Sequence, residues 1–408
     1  MNNKKNGIPK LRFPGFTGAW EQRKLGEIFE IQSGFTGDAQ LNTGKFKVSR
    51  IETISNGVID SKKIGFSNVI PDKKYKLNVG DILYSNINSI DHIGKIAEYI
   101  EDIGLYHGIN LLRLASISDN PDFLFYELNT EEKRNWAKSH ANKAVNQASI
   151  NQTELKKQKL SIPVIEEQTK ISNFLQHFDS LITLHQRKLE HLQEQKKGLL
   201  QKMFPKKGET VPEVRFPGFT DAWEQRKLGE IFEIQSGFTG DAQLNTGKFK
   251  VSRIETISNG VIDSKKIGFS NVIPDKKYKL NVGDILYSNI NSIDHIGKIA
   301  EYIEDIGLYH GINLLRLASI SDNPDFLFYE LNTEEKRNWA KSHANKAVNQ
   351  ASINQTELKK QKLSIPVIEE QTKISNFLQH FDSLITLHQR KLDHLELMKK
   401  GLLQQMFV

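Results

Sequence analysis

The chain contains no cysteine. That excludes a disulfide framework, a thiolate metal site and a cysteine nucleophile, and a reducing compartment fits best. Long apolar runs are missing as well. No stretch of about 18 apolar residues occurs, so no membrane-spanning helix is expected. The opening MNNKKNGIPKLRFPGF mixes charge with Pro and Gly where a signal peptide needs an apolar core. The expectation is a soluble, cytoplasmic protein that does not touch membrane. Acidic residues are outnumbered: 56 Lys and Arg against 49 Asp and Glu give a net charge of +7 and an isoelectric point near 9.1, which tilts the chain toward a polyanionic partner.

At 408 residues the chain exceeds one ordinary core, and about 100 to 200 residues per domain suggests two to four units. An internal repeat decides the organisation. The text AWEQRKLGEIFEIQSGF begins at Ala19 and returns at Ala222, an offset of 222 − 19 = 203. The copies match letter for letter from Ala19 to Leu189 and from Ala222 to Leu392. Outside that span they drift, with Gly18 against Asp221, Glu190 against Asp393 and Gln195 against Met398. Two copies at so long a period are tandem domains rather than a solenoid.

Each copy has two parts. The first, about Trp20 to Ile162, alternates short β-type runs (KFKVSRI, GDILYSNI, INLLRLASI) with Gly/Asn/Asp turns. Helices are predicted over Asp122 to Ala137 and Ile150 to Lys157. This reads as a compact α+β domain. After Ile162-Pro163 a 3-4 apolar spacing begins: Ile171, Leu175, Phe178, Ile182, His185, Leu189, Leu192, Lys196, Leu199, Met203. It recurs at Ile374, Leu378, Phe381, Ile385, His388, Leu392, Leu395, Lys399, Leu402 and Met406. Such a seam fits a long helix paired with its twin, the other outlet being the helix's own globular domain. The predicted layout is one globular domain over 1–162, a spacer helix over 163–205, a second domain over 206–365 and a final helix over 366–408. Because the first helix feeds the second domain through a short linker, the pair should be antiparallel, about 50 Å long from Ile171 to Met203, with the two domains related by a two-fold axis.

Three polar segments are candidates for DNA contact, since they combine Lys and Arg for phosphates with Asn, Gln, Ser and Arg for base edges. The first carries Thr36, Lys45, Lys47, Ser49 and Arg50; the second Asn86, Asn88, Ser89, His92 and Lys95; the third Lys138, Ser139, His140, Asn142, Lys143 and Gln147. Their counterparts are Thr239, Lys248, Lys250, Ser252 and Arg253; Asn289, Asn291, Ser292, His295 and Lys298; and Lys341, Ser342, His343, Asn345, Lys346 and Gln350.

Catalytic constellations are sparse. Pro-Pro is absent, and with it the Asn/Asp-Pro-Pro-aromatic tetrad of an amino-methyltransferase. The nearest string to a phosphate-cradling loop, Gly37 to Phe46, has the wrong spacing and no Ser or Thr after Lys45. One nuclease-like pattern exists, Pro121-Asp122 with Glu131-Glu132-Lys133, which a capped, charged helix surface explains equally well. His185 and His388 lack His-x3-His spacing, and no metal is expected. The rival functions are a self-sufficient nuclease or methyltransferase and a purely structural scaffold.

In its motifs the chain resembles the specificity subunits of type I restriction-modification systems, over essentially its whole length. Each half opens with a Trp, a Lys-Leu-Gly-Glu and a Ser-Gly pair (Trp20, Lys24, Leu25, Gly26, Glu27, Ser33, Gly34). A Gly-Asp-Ile-Leu strand follows at Gly80 to Leu83. Each half closes with Asn146-Gln147, Ile162-Pro163 and Glu167-Gln168 before Ile171, all repeated at the same offset. The resemblance implies a non-catalytic subunit that binds double-stranded DNA, each domain reading one half of a split site, and that directs adenine methylation and restriction by its partners. Two modification subunits would bind the helices and hold S-adenosylmethionine, while restriction and motor subunits would use ATP and Mg²⁺. Phe174, Leu181, Leu184 and Leu200, with Phe377, Leu384, Leu387 and Leu403, lie off the seam line and are the candidate partner face. Family members normally pair two different reading domains. Here both are the same, so the expected target is an inverted repeat.

Overall fold

The computed structural model describes residues 7–37, 39, 41–55, 57–240, 242, 244–258, 260–348 and 350–408. Asp38, Gln40 and their counterparts Asp241 and Gln243, which fall in the first candidate segment, lie outside the described residues, as does Asn349, the twin of Asn146.

The first domain begins with β1 (Glu21–Lys24), α1 (Leu25–Ile28) and β2 (Phe29–Ser33). Short strands follow: β3 (Phe46–Val48), β4 (Ile54–Ser55), β5 (Gly57–Ile59), β6 (Gly65–Ser67), β7 (Ile82–Ser85), β8 (Ile87–Asn88), β9 (Ile96–Glu98), β10 (Leu105–Tyr106) and β11 (Leu111–Ser116). Helices α2 (Pro121–Leu128) and α3 (Glu131–His140) lead to β12 (Asn142–Lys143), β13 (Ala148–Ser149), α4 (Gln152–Leu155), β14 (Lys159–Ile162) and the long α5 (Ile165–Lys202). The second copy repeats them as β15 (Glu224–Lys227) to β28 (Lys362–Ile365), with α6 (Leu228–Ile231) to α9 (Gln355–Leu358) among them, and ends in α10 (Ile368–Met406).

Among the described residues, four sheets build each domain. The central one is six-stranded, in the order β2-β11-β7-β9-β5-β4; β10-β3-β6 and β12-β13-β8 form three-stranded sheets, and β1 pairs with β14. The apolar runs seen in sequence supply its middle: β7 is buried along its whole length, and β11 buries Leu111, Leu112 and Leu114. The single helix expected over Asp122 to Ala137 is two. Asn129 caps the end of α2, and Thr130 takes an extended backbone with ψ 152° before Glu131 and Glu132 open α3. Acidic residues in a first turn suit the helix dipole, so a fresh start there competes well with continuation.

By packing, the chain divides into two units, Met1–Gln186 with Arg390–Val408, and Arg187–Gln389. Each contains a globular domain, the first half of the helix that leaves it and the last half of the other helix. In the first unit Ile171 and Leu175, early in α5, share a core with Met406 and Phe407, at the end of α10, and with Trp20, Phe123 and Leu160 of the domain. The helices therefore run antiparallel, and both outlets foreseen for the seam are used. The second unit repeats this with Ile374, Leu378, Met203 and Phe204 around Trp223 and Phe326. Lys196, an interruption of the seam in sequence, has partners: it pairs with Asp382 and lies 5.1 Å over the ring of Tyr329. Lys399 does the same with Asp179 and Tyr126.

The RFPGF segments fasten the domains to their helices. Arg12 makes a bidentate pair with buried Glu167, both contacts at 2.7 Å, and Leu11 N–H donates to the Gln405 carbonyl at 2.9 Å. Arg215, Glu370, Val214 and Lys202 repeat the arrangement. Phe13 meets Phe174 edge-on at 5.7 Å, which covers part of a ring expected to face a partner and leaves it 37% exposed. Leu403 packs against the core of the first domain and Leu200 against that of the second. These two leucines of the candidate partner face therefore serve the domains, since an apolar side chain beside an open core gains more by filling it than by waiting for a ligand. Leu181 and Leu384 are half-buried. Leu184 and Leu387 stay exposed at 45% and 47%. Among the described residues, no helix is long and apolar enough to cross a membrane.

Candidate nucleic-acid interface

Two of the three candidate segments form one surface. The third folds into a hairpin, β12 against β13, with Asn142 opposite Ser149 and Lys143 opposite Ala148. A lone two-stranded hairpin is marginal in water; this one is held. Strand β13 pairs onto β8 of the second segment. Ile150 N–H donates to the Asn86 carbonyl at 2.8 Å, and the Asn86 amide returns a bond to the Ile150 carbonyl at 3.3 Å. Ala148 and Ile150 are buried in the domain core. At the tip, Ala144 N–H donates to the Gln147 carbonyl at 2.7 Å.

Helix α3 delivers the hairpin. Its last turn stacks His140 on Trp136 at 4.2 Å, with Ser139 2.9 Å from His140 Nδ1. Gly94, with φ +74°, lets the second segment lie against this helix: a Cβ there would come within 2.5 Å of the Ala137 methyl. Lys138 approaches Asp91 at 3.9 Å. The exposed groups of the combined surface are Ser89, His92, Ser139, His140, Asn142, Lys143 and Gln147, with Lys95 and Lys138 half-buried. Asn88 works locally, its amide donating to Ser85 Oγ at 3.0 Å and its carbonyl oxygen accepting from Ser89 N–H at 2.8 Å.

The first segment lies apart, in the β10-β3-β6 sheet. Ser49 is buried and its hydroxyl accepts from Gly108 N–H at 3.0 Å, so it serves the fold, as Ser252 does beside Gly311. Arg50 donates to the carbonyls of Ala39 and Leu41, shaping the loop from inside. Lys47 reaches the Ile103 carbonyl at 3.1 Å. Thr36 and Lys45 are exposed. The second copy matches: Thr239 and Lys248 are exposed, Lys250 and Arg253 make the same internal bonds, and Asn289, Asn291, Ser292, His295, Lys298, Lys341, Ser342, His343, Asn345, Lys346 and Gln350 take the places of their twins.

Two features escaped the sequence reading. Gln152, after the hairpin, donates to Ser33 Oγ at 2.7 Å, tying this surface to the strand that precedes the first segment. Val145, at the hairpin tip, is fully exposed. A signal for it existed, because no Asp or Glu occurs between Glu132 and Glu154 while Arg134, Lys138 and Lys143 do, with one aliphatic tip residue among polar ones. The nuclease-like residues are engaged structurally. Lys133 is buried, 3.3 Å from both Glu127 and Glu132, and burial holds the Glu127 carboxyl above its ordinary range. Among the described residues, no group of three or more His, Asp or Glu is placed to hold a metal ion.

Behind this surface lies the joint to the helices. Tyr126 of α2 donates to Asp179 of α5 at 2.6 Å, and Lys399 of α10 pairs with the other oxygen of Asp179. Glu98 is buried beside them. Burial first, then its hydrogen bond to Asp122, then the charges of Asp122 and Asp179 push its carboxyl up to about 8.

A duplicated domain presenting a hairpin that lacks carboxylates and carries Lys143, mounted on long helices, is the form of a nucleic-acid-reading protein. The family model described as the type I restriction modification DNA specificity domain matches residues 18–194 and again 220–397. The chain is 31% identical to the specificity subunit assigned to the type I restriction enzyme MjaX of Methanocaldococcus jannaschii, over 94% of this chain and 92% of that protein. It is 26% identical to the specificity subunit of type I restriction enzyme MjaVIII of the same organism, over 69% and 68%. Two solved structures share the fold at 17% identity, covering 98% of this chain and 99% of each of theirs: the type I system S subunit from M. genitalium, with a TM-score of 0.61, and a chain from a study of complex assembly and conformational transition of the type I system, at 0.54. The chain belongs to the type I restriction-modification DNA specificity family. As a specificity subunit it recognises DNA and is not the catalytic component.

Proposed function

We propose that each globular domain reads one half of a split, inverted-repeat DNA site, and that the chain thereby directs adenine methylation and restriction by its partners. The observation that carries this reading is the convergence of the second and third segments on one surface in each domain, where a hairpin without carboxylates lies beside Asp91, which faces Lys138. Lysines there suit phosphates, and exposed Asn, Gln and Ser suit base edges. Readers of identical sequence select identical half-sites. Two readers placed about the two-fold axis that an antiparallel helix pair implies would meet half-sites that are reverse complements.

Two modification subunits would dock on the helices around Leu184 and Leu387, which remain exposed. Those subunits would bring S-adenosylmethionine, and motor subunits would bring ATP and Mg²⁺, in the cytoplasm. Methylome sequencing of cells producing this chain with its modification subunits tests the proposal. A bipartite inverted repeat with an unread spacer is expected; two unrelated half-sites or a direct repeat would refute the symmetry.

A further inference from the structure

Each reading hairpin ends in an aliphatic side chain that its own domain leaves uncovered. Val145 is 100% exposed and Val348 99%. Neither sits on a loose tip: Ala148 and Ile150, three and five residues on, are 1% exposed, and the 2.7 Å bond from Ala144 N–H to the Gln147 carbonyl closes the turn. A valine held rigidly in water by a well-anchored ribbon forgoes the burial its methyls would gain elsewhere, so a ligand that covers it is the natural complement.

We infer that this hairpin enters the major groove of DNA and that Val145, with Val348 in the second copy, reads a thymine through its 5-methyl group. The inference rests on the DNA-specificity reading above and adds the groove, the residue and the base. Three observations lead there. The stretch around the tip has no carboxylate between Glu132 and Glu154 and carries Arg134, Lys138 and Lys143, which favours a polyanion over a protein surface. The element is a two-stranded ribbon; strands about 4.8 Å apart with their side chains fit a major groove about 12 Å wide and not a minor groove of about 6 Å. Within the major groove the thymine methyl is the apolar group on offer, and Gln147 beside the valine carries the amide that pairs with adenine N6 and N7.

The test uses the full-length chain with its modification subunits, first selecting duplexes from a randomised pool. Thymines of the selected site are then replaced singly by deoxyuridine, which removes only the 5-methyl. Each half-site should contain one thymine, at mirror-related positions, where replacement weakens wild-type binding about fourfold, the factor carried by one methyl-sized apolar group. The Val145→Ser, Val348→Ser chain should bind both duplexes equally, with an unchanged urea midpoint because both side chains are exposed. If no thymine responds, or the variant still discriminates as the wild type does, the hairpin inference is overturned while the DNA-specificity reading stands. If the variant keeps its base preference but loses its modification subunits, the tip is a protein contact and the inference is likewise overturned. A wild-type chain that selects no sequence would sink the DNA reading itself.

Discussion

Replacing Glu98 and its twin Glu301 by glutamine should stabilise the protein, increasingly so as the pH rises. Both carboxyls are buried, and both are held at about 8, from an ordinary value of 4.5, chiefly by burial. The folded state thus binds this proton more tightly than the unfolded chain does. Such a group behaves oppositely to an ion-paired carboxylate: its contribution is most favourable below about pH 4.5, is lost as the pH climbs to about 8, and is flat beyond. At about 1.4 kcal/mol per pH unit, the cost of each site is roughly 3 kcal/mol at pH 7 and roughly 4 to 5 kcal/mol above pH 8. Glutamine keeps the shape and can donate its amide to Asp122 where the acid donates its hydroxyl.

Urea midpoints for wild type and the Glu98→Gln, Glu301→Gln variant at about pH 5, 7 and 9 measure this directly, because the other titrating groups cancel in the difference. The two should nearly coincide at the lowest pH and separate steadily upward. Parallel curves would refute the assignment of a buried, protonated Glu98. The site matters to function because Asp122 and Tyr126 lie on one helix, and Tyr126 bonds Asp179 of α5. Ionising Glu98 adds negative charge beside Asp179, at the joint that fixes the reader to its helices.

Lys133→Ala with Lys336→Ala leaves Glu127 and Glu330 buried without their charge partners, the Ser161 and Ser364 N–H bonds remaining, and should cost about 3 to 5 kcal/mol per domain, read as a lowered urea midpoint. Lys45→Ala with Lys248→Ala should weaken DNA binding for all sequences and lower the salt slope by about 0.9 for every phosphate the lysines had neutralised; an unchanged slope removes these exposed lysines from the footprint. Leu184→Asp with Leu387→Asp should abolish co-purification of modification subunits while leaving the urea midpoint nearly unchanged, since both side chains are largely exposed; retained partners would place the docking face elsewhere.

The repeat, the α+β class and the antiparallel helices were legible because identity at an offset of 203 and a 3-4 apolar spacing are both long-range regularities of the text. What stayed hidden depended on local competition or on distant partners. The break at Asn129–Thr130 interrupts a run whose residues favour helix on both sides, and only the extended backbone at Thr130 reveals it. The β12-β13 hairpin has strands of two residues each, stabilised by a third strand at Ile87–Asn88 more than fifty residues away in sequence, so its own composition carries little strand signal. Ser49 and Arg50 have the side-chain types that DNA contact needs, yet Gly108, Ala39 and Leu41 claim them. Residue type indicates what a side chain can bond, whereas burial decides whether it is already bonded.

Where the two copies diverge follows the same logic. The seam residues of α5 are repeated without change in α10, because each half-seam faces the other helix and its ion pairs come twice, Lys196 with Asp382 and Lys399 with Asp179. A change at one of these lysines or aspartates would leave its partner without the ion pair. The substitutions fall instead at exposed positions: Glu190 becomes Asp393, Gln193 becomes Glu396, Glu194 becomes Leu397, Gln195 becomes Met398 and Lys202 becomes Gln405. Leu397 and Met398 are 69% and 41% exposed, so the second helix presents an apolar pair where the first presents a polar one. The candidate DNA-contacting residues are therefore identical in the two copies while the helix surfaces are not. Packing constrains the seam, whereas the outward face of the helices differs between the two copies at these positions.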